Sequence, residues 1–535
     1  MKKVTLIALL VLAFSADLAS QSLVKYVDPK IGTAHSRWFF YTPGAVPFGM
    51  AKPAPSTNGS YGNLNGWEAV GYDERHTSIE GFANIHEFQV GGIVFAPTTG
   101  KLQTLAGKLE TPDQGYRSRF DKKDEIATAG YYSVVLKDYH IKAELTSTKR
   151  VAYHRYTFPA SKEANIIFDI GHKQGESGEV KDAKVYVTAD GKIEGYVTTL
   201  PVYVQKYQPG AEVCMYFSAV MDKIPLRFGA FKGADISAGK NEMSGVGAGL
   251  YFTFSTNENE SITIKAGFSY TSIANARLNL VTESSQLNFD QAKTAAINTW
   301  EDYLGRIKVE SKNEKDMTKF YTGLYHALLG RGLASDVNGA YPKNDGQIGQ
   351  IPLDKNKHPI HNHYNTDAIW GAFWNLTQLW AIAYPDYYSD WIQSQLLVYK
   401  DSGWLADGIA NSRYVSGVGT NFVSLAIASA YMAGIRDFDI KLGYEASLKN
   451  ELDGKNRPKG AGKTDVDSMV KYGYVPHLDK GDGGSETWKF SASHTLEYSF
   501  SGYSVAQWAK LLGKQADYKK LMRLSKGWEK IYDPS

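Results

Sequence analysis

The chain has 535 residues, of which 43% are hydrophobic and 21% are charged, a composition that excludes a disordered chain and indicates two or more folded domains. Lysine and arginine number 59 and aspartate and glutamate 56, so the formal net charge is only +3. The two signs are mixed without a basic run, which argues against nucleic acid or an anionic membrane as a partner. Aromatic residues make up 13%, which suits stacking on sugar rings but equally suits the core of a β-sandwich.

The N-terminus has the layout of a secretory signal peptide. Lys2 and Lys3 precede an apolar run at 4–14, and small residues follow it. We therefore predict a signal peptide at 1–20 and a periplasmic or secreted product without membrane insertion. Cys214 is the only cysteine, so no intramolecular disulfide can form, and we predict that it is a buried strand residue.

Residues 27–283 have the pattern of many short β-strands. The run at 130–136, for example, alternates or stays apolar over the length of a strand. Asp190 and Gly191 lie between two alternating runs and indicate a hairpin turn. Because no helical pattern separates these strands, the sequence predicts a large antiparallel β-sandwich.

From residue 288 onward the pattern becomes helical. Asn288 precedes apolar positions at helical spacing that end at Gly305. Further helices, with no convincing strands between them, are predicted around 317–328 and at 366–382, 386–399, 421–433, 439–448, 495–512 and 516–531. Such a series closes naturally into an α-helical barrel. We therefore predict a β-sandwich domain at 21–285, a linker helix at 286–310 and an α/α barrel domain at 311–535.

A series of short motifs covers almost the whole chain after the signal peptide. They are Val-Asp-Pro-Lys-Ile-Gly-Thr at 27–33, Pro-Gly-Ala-Val-Pro-Phe-Gly-Met at 43–50, Ile-Glu-Gly-Phe at 79–82, Ala-Pro-Thr-Thr-Gly at 96–100, Phe-Tyr-Thr-Gly-Leu-Tyr-His at 320–326, Ser-Asp-Val-Asn-Gly at 335–339, Ser-Gly-Trp-Leu at 402–405, Gly-Tyr-Val-Pro at 473–476 and Thr-Leu-Glu-Tyr at 495–498. In this order they resemble glycoside hydrolase family 92, the calcium-dependent exo-acting α-mannosidases. The resemblance implies an N-terminal antiparallel β-sandwich followed by an (α/α)₆ barrel, with the active site between them.

The Thr-Leu-Glu-Tyr motif makes Glu497 the counterpart of the family's general acid. Its neighbours Leu496, Tyr498 and Phe500 indicate a partly apolar setting, which raises the pKa of a carboxyl group and keeps the acid protonated. From the residues alone, the alternative is a glutamate in the first turn of a helix, where the helix dipole favours a negative charge.

The resemblance also implies a second carboxylate, which activates a water molecule at about 6.5–9.5 Å from the acid in an inverting enzyme. In the family this base lies in a Gly-Asn-Glu-Pro-Asp-His segment, and the sequence does not contain one. We therefore expect a barrel truncated at its C-terminus, with roughly eight or nine helices after residue 290 instead of twelve. Its last helices should expose an apolar patch. The family's Ca²⁺ is also implied, with ligands mostly in the missing region.

Further candidates for substrate contact come from two regions. Trp67, Glu68 and His86 lie where the sandwich should face the barrel, and the alternative is a polar loop edge with one anchored tryptophan. The resemblance also makes Trp370 a candidate sugar-facing ring, as is Trp67, but relatives carry Trp-Asp in this barrel helix and Trp370 is followed by Gly371. Asp367 could supply that carboxylate from the same helix face, and a plain N-cap is the alternative.

His358, His361 and His363 form a third cluster. Their imidazole nitrogens could hold a transition metal, but no cysteine or nearby carboxylate completes a tetrahedral set. The alternative is a loop at the mouth of the active site.

The sequence thus predicts an inverting exo-α-mannosidase that removes terminal α-linked mannose from glycans. The alternative is a non-catalytic carbohydrate-binding protein or an inactive fragment of such an enzyme. Its partners are expected to be mannose-containing glycans and no nucleic acid, and the chain is expected to be a monomer.

Overall fold

The protein is represented by a computed structural model that describes residues 22–34, 40–59, 71–87, 90–366, 369–417, 419–477 and 490–535. Within these ranges the chain forms 22 β-strands and 11 α-helices. None of the helices in the described ranges is both long enough and apolar enough to span a membrane.

The first half of the chain is built from two large antiparallel sheets. Its strands are β1 (Ala54–Ser56), β2 (Ser78–Ile79), β3 (Gly81–Glu87), β4 (Val90–Thr99), β5 (Ser118–Arg119), β6 (Ile126–Thr128), β7 (Tyr131–Leu136), β8 (Ile141–Ser147), β9 (Val151–Phe158), β10 (Ser161–Asp169), β11 (Glu179–Val187), β12 (Ile193–Leu200), β13 (Val213–Met221), β14 (Arg227–Lys232), β15 (Asp235–Ala238), β16 (Glu242–Ser244), β17 (Ala248–Thr256) and β18 (Glu260–Ser269). One sheet has seven strands in the order β1-β3-β4-β10-β17-β14-β15. The other has nine in the order β16-β11-β12-β13-β18-β9-β8-β7-β6.

The two sheets pack face to face through large aromatic side chains. The ring centroids of Phe168 in the seven-stranded sheet and Phe217 in the nine-stranded sheet are 6.4 Å apart. Phe95 lies 6.3 Å from the same Phe217 ring, and all three side chains are buried. The predicted antiparallel β-sandwich is confirmed.

The predicted hairpin is also confirmed, whereas the predicted burial of Cys214 is wrong. Strands β11 and β12 pair with Val187 opposite Ile193, and Gly191 in the connecting turn has a φ of +81°. Cys214 lies in strand β13 as predicted, but its side chain is only half-buried because alternate strand residues face opposite sides. Its neighbours Val213 and Met215 take the fully buried positions.

Most of the second half is helical. The α-helices of the whole chain are α1 (Val202–Tyr207), α2 (Ile273–Ser284), α3 (Phe289–Gly305), α4 (Glu314–Leu329), α5 (Leu376–Ala383), α6 (Pro385–Ser402), α7 (Val423–Met432), α8 (Ile440–Leu452), α9 (Val466–Tyr472), α10 (Ser491–Leu511) and α11 (Gln515–Leu524). Short 3₁₀ helices lie at Val24–Tyr26, Pro112–Gln114, Lys122–Asp124, Gly175–Ser177, Ile369–Trp374 and Gly527–Lys530. Helix α3 begins with the capping box of Asn288 and Gln291, which confirms the predicted helix after residue 288.

The change from strand to helix comes earlier than the sequence predicts. Strand β18 ends at Ser269, and helix α2 already begins at Ile273, inside the stretch that was predicted to be β-structure. Two of the four buried residues of α2, Asn279 and Ser284, are polar. Because its buried face is half polar, α2 has no apolar period that would reveal a helix.

Short strands also occur among the helices, contrary to the prediction that there are none. They are β19 (Ala340–Pro342), β20 (Ile348–Gln350), β21 (Gly408–Ala410) and β22 (Arg413–Val415). Each has three residues and pairs only with its hairpin partner, so none is long enough to produce an alternating pattern.

The expected number of helices and the expected exposure of the last ones both agree with the structure. From α3 onward the described residues form nine α-helices. Helix α10 carries apolar side chains that are about half exposed, namely Leu496 at 51%, Phe500 at 51%, Tyr503 at 48% and Leu511 at 63%.

Candidate active site

Helix α10 carries the predicted acid. Glu497 is the seventh residue of this helix, which begins at Ser491 rather than near residue 495 as predicted. The first turn of α10 contains no acidic residue, so Glu497 is not there to complement the helix dipole.

The surroundings of Glu497 include charged and polar groups from other parts of the chain. Leu496 and Phe500 are about half exposed, whereas Glu497 itself is half-buried. Burial raises the pKa of Glu497, while the charge of His494, the hydroxyl of Thr420 and the charge of Lys463 act in the opposite direction. The raised pKa predicted from the sequence is therefore supported together with its cause, desolvation, although of the three named neighbours only Tyr498 is buried.

One oxygen of this carboxyl group is available for chemistry. Glu497 Oε2 is buried and has no hydrogen-bond partner within the described part of the chain. Buried polar atoms are almost always partnered, so an unpartnered one calls for an explanation. A carboxyl group with a raised pKa and an oxygen without a partner is suited to donate a proton to a bound substrate.

A fully buried ion pair contacts the helix that carries the acid, through Ser501. Lys463 Nζ is 2.6 Å from Glu451 Oε1 of helix α8, and the two side chains are 0% and 3% exposed. Burial lowers the pKa of Lys463, and the charges of Glu451, Glu497 and Asp407 oppose that change. Lys463 is therefore within electrostatic reach of the candidate acid.

Asp407 is a second carboxylate in this region. It is fully buried, and its Oδ2 accepts hydrogen bonds from Ser416 Oγ at 2.7 Å and from the backbone N–H of Gly417 at 3.2 Å. These donors stabilise the ionised carboxylate and fix the loop that follows strand β22.

On the sandwich side, His86 lies in the interior where the two halves meet. It is 4% exposed, and its ring stacks on Tyr41 with a centroid distance of 4.7 Å. Burial and the charge of Lys52 lower the pKa of His86 to about 3, so the ring is neutral near pH 7. The structure thus places His86 below the surface rather than on an exposed loop edge.

The residue after His86 joins the sandwich to the helical half. Glu87 forms a buried ion pair with Lys52 and accepts a hydrogen bond from the backbone N–H of Gly332 at 2.6 Å. A Cβ atom on Gly332 would lie 2.4 Å from Glu87 Oε2 and 2.4 Å from the carbonyl oxygen of Gly49. Only glycine allows this close approach between the two halves.

The structure does not bring His358, His361 and His363 together as a metal site. The two ring nitrogens of His363 are 2.8 Å from Ser394 Oγ and 2.7 Å from Ser412 Oγ, while His358 is exposed. His363 is therefore held as a neutral structural residue. Across the described ranges, no three or more His, Cys, Asp or Glu side chains come together in a way that could hold a metal ion.

The remaining candidates are only partly covered by the structure. Trp67, Glu68 and Asp367 lie outside the described residues. Trp370 belongs to the 3₁₀ helix Ile369–Trp374, but its side chain is not described. Thr366 is the last described residue before Asp367. It pairs with Ile409 through two backbone hydrogen bonds of 3.0 and 2.6 Å.

The sequence reasoning missed the residues that set the environment of Glu497. Thr420 and Lys463 lie in loops, and each follows closely after glycines, Gly419 and Gly462, whose φ angles are +81° and +63°. Glycines that allow left-handed backbone were the available signal, because such positions often occur where a loop must approach a functional site.

Two family models match almost the entire described chain. The model described as the glycosyl hydrolase family 92 N-terminal domain matches residues 26–269. The model described as the glycosyl hydrolase family 92 catalytic domain matches residues 275–535. The junction between these models falls between strand β18 and helix α2.

Individual relatives are similar over most of this chain but are longer. An uncharacterized secreted glycosidase of Arthroderma benhamiae is 26% identical over 95% of this chain and 62% of that protein. The family GH92 alpha-mannosidase BT3965 of Bacteroides thetaiotaomicron, solved with mannoimidazole, is 26% identical with a TM-score of 0.84 over 96% of this chain and 65% of that one. The inverting mannosidase BT2199 of the same organism shares the fold, with 20% identity and a TM-score of 0.82 over 96% of this chain and 66% of that one. This chain therefore spans about two thirds of the length of these relatives.

Proposed function

Because the chain belongs to glycosyl hydrolase family 92, we propose that it acts on terminal α-linked mannose of glycans, with Glu497 as the proton donor. The observation that carries the proposal is the half-buried Glu497 in its Thr-Leu-Glu-Tyr motif, with a raised pKa and one unpartnered oxygen. The similarity to BT3965, which is named an alpha-mannosidase, supports the choice of sugar.

In the proposed reaction, Glu497 gives its proton to the glycosidic oxygen as the bond from that oxygen to the anomeric carbon breaks. A water molecule attacks the opposite face of the sugar and loses its proton to a second carboxylate, about 6.5–9.5 Å from the acid. The products are mannose of inverted configuration and the shortened glycan. We assign no residue of this chain as the base, and inversion rests on the resemblance to the family.

Calcium is implied by the family resemblance, but the proposed proton transfer does not use it. Where the ion is present, it would supply positive charge that binds and orients sugar hydroxyl oxygens. The described residues bring no cage of His, Cys, Asp and Glu together, so no ligand is assigned. Activity measured with and without a chelator tests whether the chain depends on the ion.

Secretion is part of the proposal. It is supported by the signal-peptide pattern at 1–20 and by the relative named as secreted. Expression of the full gene, followed by N-terminal sequencing of protein from the periplasm and the medium, tests it. We expect a new N-terminus near residue 21, and an uncleaved chain in the cytoplasm would contradict the proposal.

The proposed activity is tested with the purified chain and a panel of aryl glycosides. We expect release from the α-mannoside and little from the α-glucoside and α-galactoside, and Glu497→Gln should lose activity on α-mannosides whose leaving group needs protonation. Glu529→Gln is the matched control, because Glu529 is exposed on the short helix Gly527–Lys530. Preferential cleavage of another sugar would overturn the assignment to mannose.

The second candidate function is carbohydrate binding without turnover. Isothermal titration calorimetry with α-linked mannose oligomers separates the two functions. Binding heat without product would favour this second candidate.

A further inference from the structure

Three consecutive loop residues, the 463–465 segment, follow one face of helix α10. Lys463 Nζ donates to Ser501 Oγ at 2.5 Å, and the carbonyl oxygen of Thr464 accepts from the hydroxyl of Tyr498. Asp465 Oδ2 lies 3.1 Å from His494 Nδ1. Residues 463, 464 and 465 thus contact helix residues 501, 498 and 494 in that order, so the segment runs antiparallel to α10.

Glu497 lies within the face that this segment contacts. It comes three residues after His494 and four before Ser501, and residues at these spacings are neighbours on a helix. The segment therefore holds α10 one turn before the acid and one turn after it. Such contacts fix both the rotation of the helix about its axis and its position along that axis.

Lys463 is also linked, through Glu451, to helices α7 and α8. Glu451 Oε1 accepts from Lys463 Nζ at 2.6 Å and from Ser424 Oγ at 2.5 Å. Glu451 Oε2 accepts from Ser501 Oγ at 3.0 Å. Lys463 is thus not a solvated surface lysine but the centre of a buried network that joins α7, α8 and α10.

The loop backbone adopts unusual conformations to make these contacts. Gly419 has a φ of +81°, and a Cβ atom there would lie 2.4 Å from Thr464 Oγ1. Its carbonyl oxygen accepts from the N–H of Thr464 at 3.0 Å and from the hydroxyl of Tyr498 at 3.3 Å. Asp465 is also in the left-handed region, with a φ of +58°. Such strain persists where surrounding contacts over-determine the backbone, often at functional sites.

The charged and polar groups around the acid come from three elements. Lys463 faces Glu497 from the 463–465 segment, Thr420 from the loop before α7 and His494 from α10 itself. Asp407 and Glu451 in turn act on Lys463. Among the groups of the described residues that act on Glu497, Lys463 is the lysine outside helix α10.

We propose that Lys463 is a positioning residue for Glu497, because it fixes the helix face that presents the acid and supplies a positive charge beside it. This inference rests on the proposed function of Glu497 as proton donor. It concerns a residue that touches the acid's helix and not the substrate.

The first test is independent of activity. The side-chain carboxyl of Glu497 is titrated by NMR in protein with ¹³C-labelled glutamate, and its signal is assigned by its loss in Glu497→Gln. Because a nearby positive charge favours the ionised carboxylate, Lys463→Met should raise the pKa of Glu497 by about one unit. Lys459→Met, at an exposed lysine of the same loop, should leave it unchanged. An unchanged titration in folded Lys463→Met would overturn the proposal.

A second variant guards against loss of folding. Lys463→Met leaves Glu451 buried without its partner, so Lys463→Met/Glu451→Gln removes both charges at similar volume. The Glu497 titration should move in the same direction in this double variant.

The second test uses turnover of an α-mannoside. Loss of the positive charge should move the alkaline limb of the kcat/KM profile to higher pH, and loss of positioning should lower kcat about tenfold with little change in KM. If the NMR titration shifts but the wild type shows no turnover, the effect of Lys463 on Glu497 is supported and the proposed function is contradicted. If Lys463→Met is active and its alkaline limb is unchanged, the inference about Lys463 is contradicted but the proposed function is not.

Discussion

Lys52 and Lys463 are both completely buried, and each lies against a buried glutamate, Glu87 or Glu451. In both pairs burial lowers the pKa of the lysine and the partner glutamate opposes the change. The pairs differ in what else they reach. Lys52 and Glu87 meet the backbone of Gly332 at the junction of the two halves, whereas Lys463 also acts on the carboxyl of Glu497, which is not its partner.

If Glu497 is the proton donor that we propose, this difference separates a structural role from a functional one. A buried ion pair is weak support for stability by itself, because desolvation offsets much of the attraction between the charges. The pair at the junction fixes how the sandwich meets the helical half. The pair inside the helical half lies beside a half-buried acid, so its charge can influence chemistry. The same two residue types therefore serve different purposes according to what surrounds them.

The largest expected effect comes from breaking the pair at the junction. Glu87→Ala leaves Lys52 buried without its partner and removes the acceptor for Gly332, so the free energy of unfolding should fall by about 3–5 kcal/mol. Urea denaturation measures it. The Glu497 titration should not move, since neither residue is among the groups that perturb that carboxyl. A loss below about 1 kcal/mol would mean that the junction does not depend on this pair.

A smaller loss of stability is expected when a side chain is added at Gly332, where the two halves approach closely. In Gly332→Ala the new methyl group would approach Glu87 and Gly49 too closely, and such overpacking costs about 1–3 kcal/mol. Gly323→Ala is the matched control, because a Cβ at this exposed position in helix α4 meets no atom within 4 Å. Its higher helix propensity should instead stabilise the protein by up to about 1 kcal/mol. If Gly332→Ala and Gly323→Ala change the melting temperature equally, Gly332 does not approach Glu87 and Gly49 as closely as described.

A still smaller effect, of opposite sign, is expected at the acid itself. The pKa of Glu497 is raised in the folded state, so its ionisation destabilises the fold once the pH rises above the ordinary glutamate pKa. Glu497→Gln should therefore raise the melting temperature near pH 7, and the gain should disappear below pH 4, where the carboxyl is protonated in both states. A variant that is less stable than the wild type at pH 7 would contradict the raised pKa.

The smallest effect on stability is expected on the exposed face of α10. Leu511→Ser changes a side chain that is 63% exposed, so the free energy of unfolding should stay within about 0.5 kcal/mol. Self-association, measured by analytical ultracentrifugation, should decrease because an exposed apolar face promotes it. Trp508→Ala, at a fully buried position of the same helix, should instead cost about 3–5 kcal/mol. Unchanged self-association in Leu511→Ser would show that this residue does not contribute to it.

Local patterns predicted much of the fold. The turn at Asp190 and Gly191 and the cap of helix α3 at Asn288 depend on short-range chemistry, and both were found where the sequence placed them. Helix α2 was missed because Asn279 in its buried face bonds the backbone of Phe268 and the carboxylate of Asp336, which replaces apolar packing with hydrogen bonds. A buried polar face leaves no periodic signal in the sequence.

The candidate site was predicted less completely, and the reason is distance along the chain. The motif around Glu497 could be identified from neighbouring residues, but Lys463 is 34 positions away and contacts α10 only in the folded chain. Of the three neighbours that predicted a partly apolar setting for Glu497, Tyr498 is buried, whereas Leu496 and Phe500 are half exposed. Which loop covers a helix face is a tertiary property that no local pattern contains.

The most direct test of the role of Glu497 compares two leaving groups. A mannobioside needs a proton on its departing oxygen, whereas a dinitrophenyl α-mannoside leaves readily without one. If Glu497 is the general acid, Glu497→Gln should lower kcat/KM for the mannobioside by about 100- to 10,000-fold. Its effect on the activated substrate should be about tenfold or less. Equal losses on both substrates, with wild-type folding preserved, would contradict the assignment of Glu497 as the proton donor.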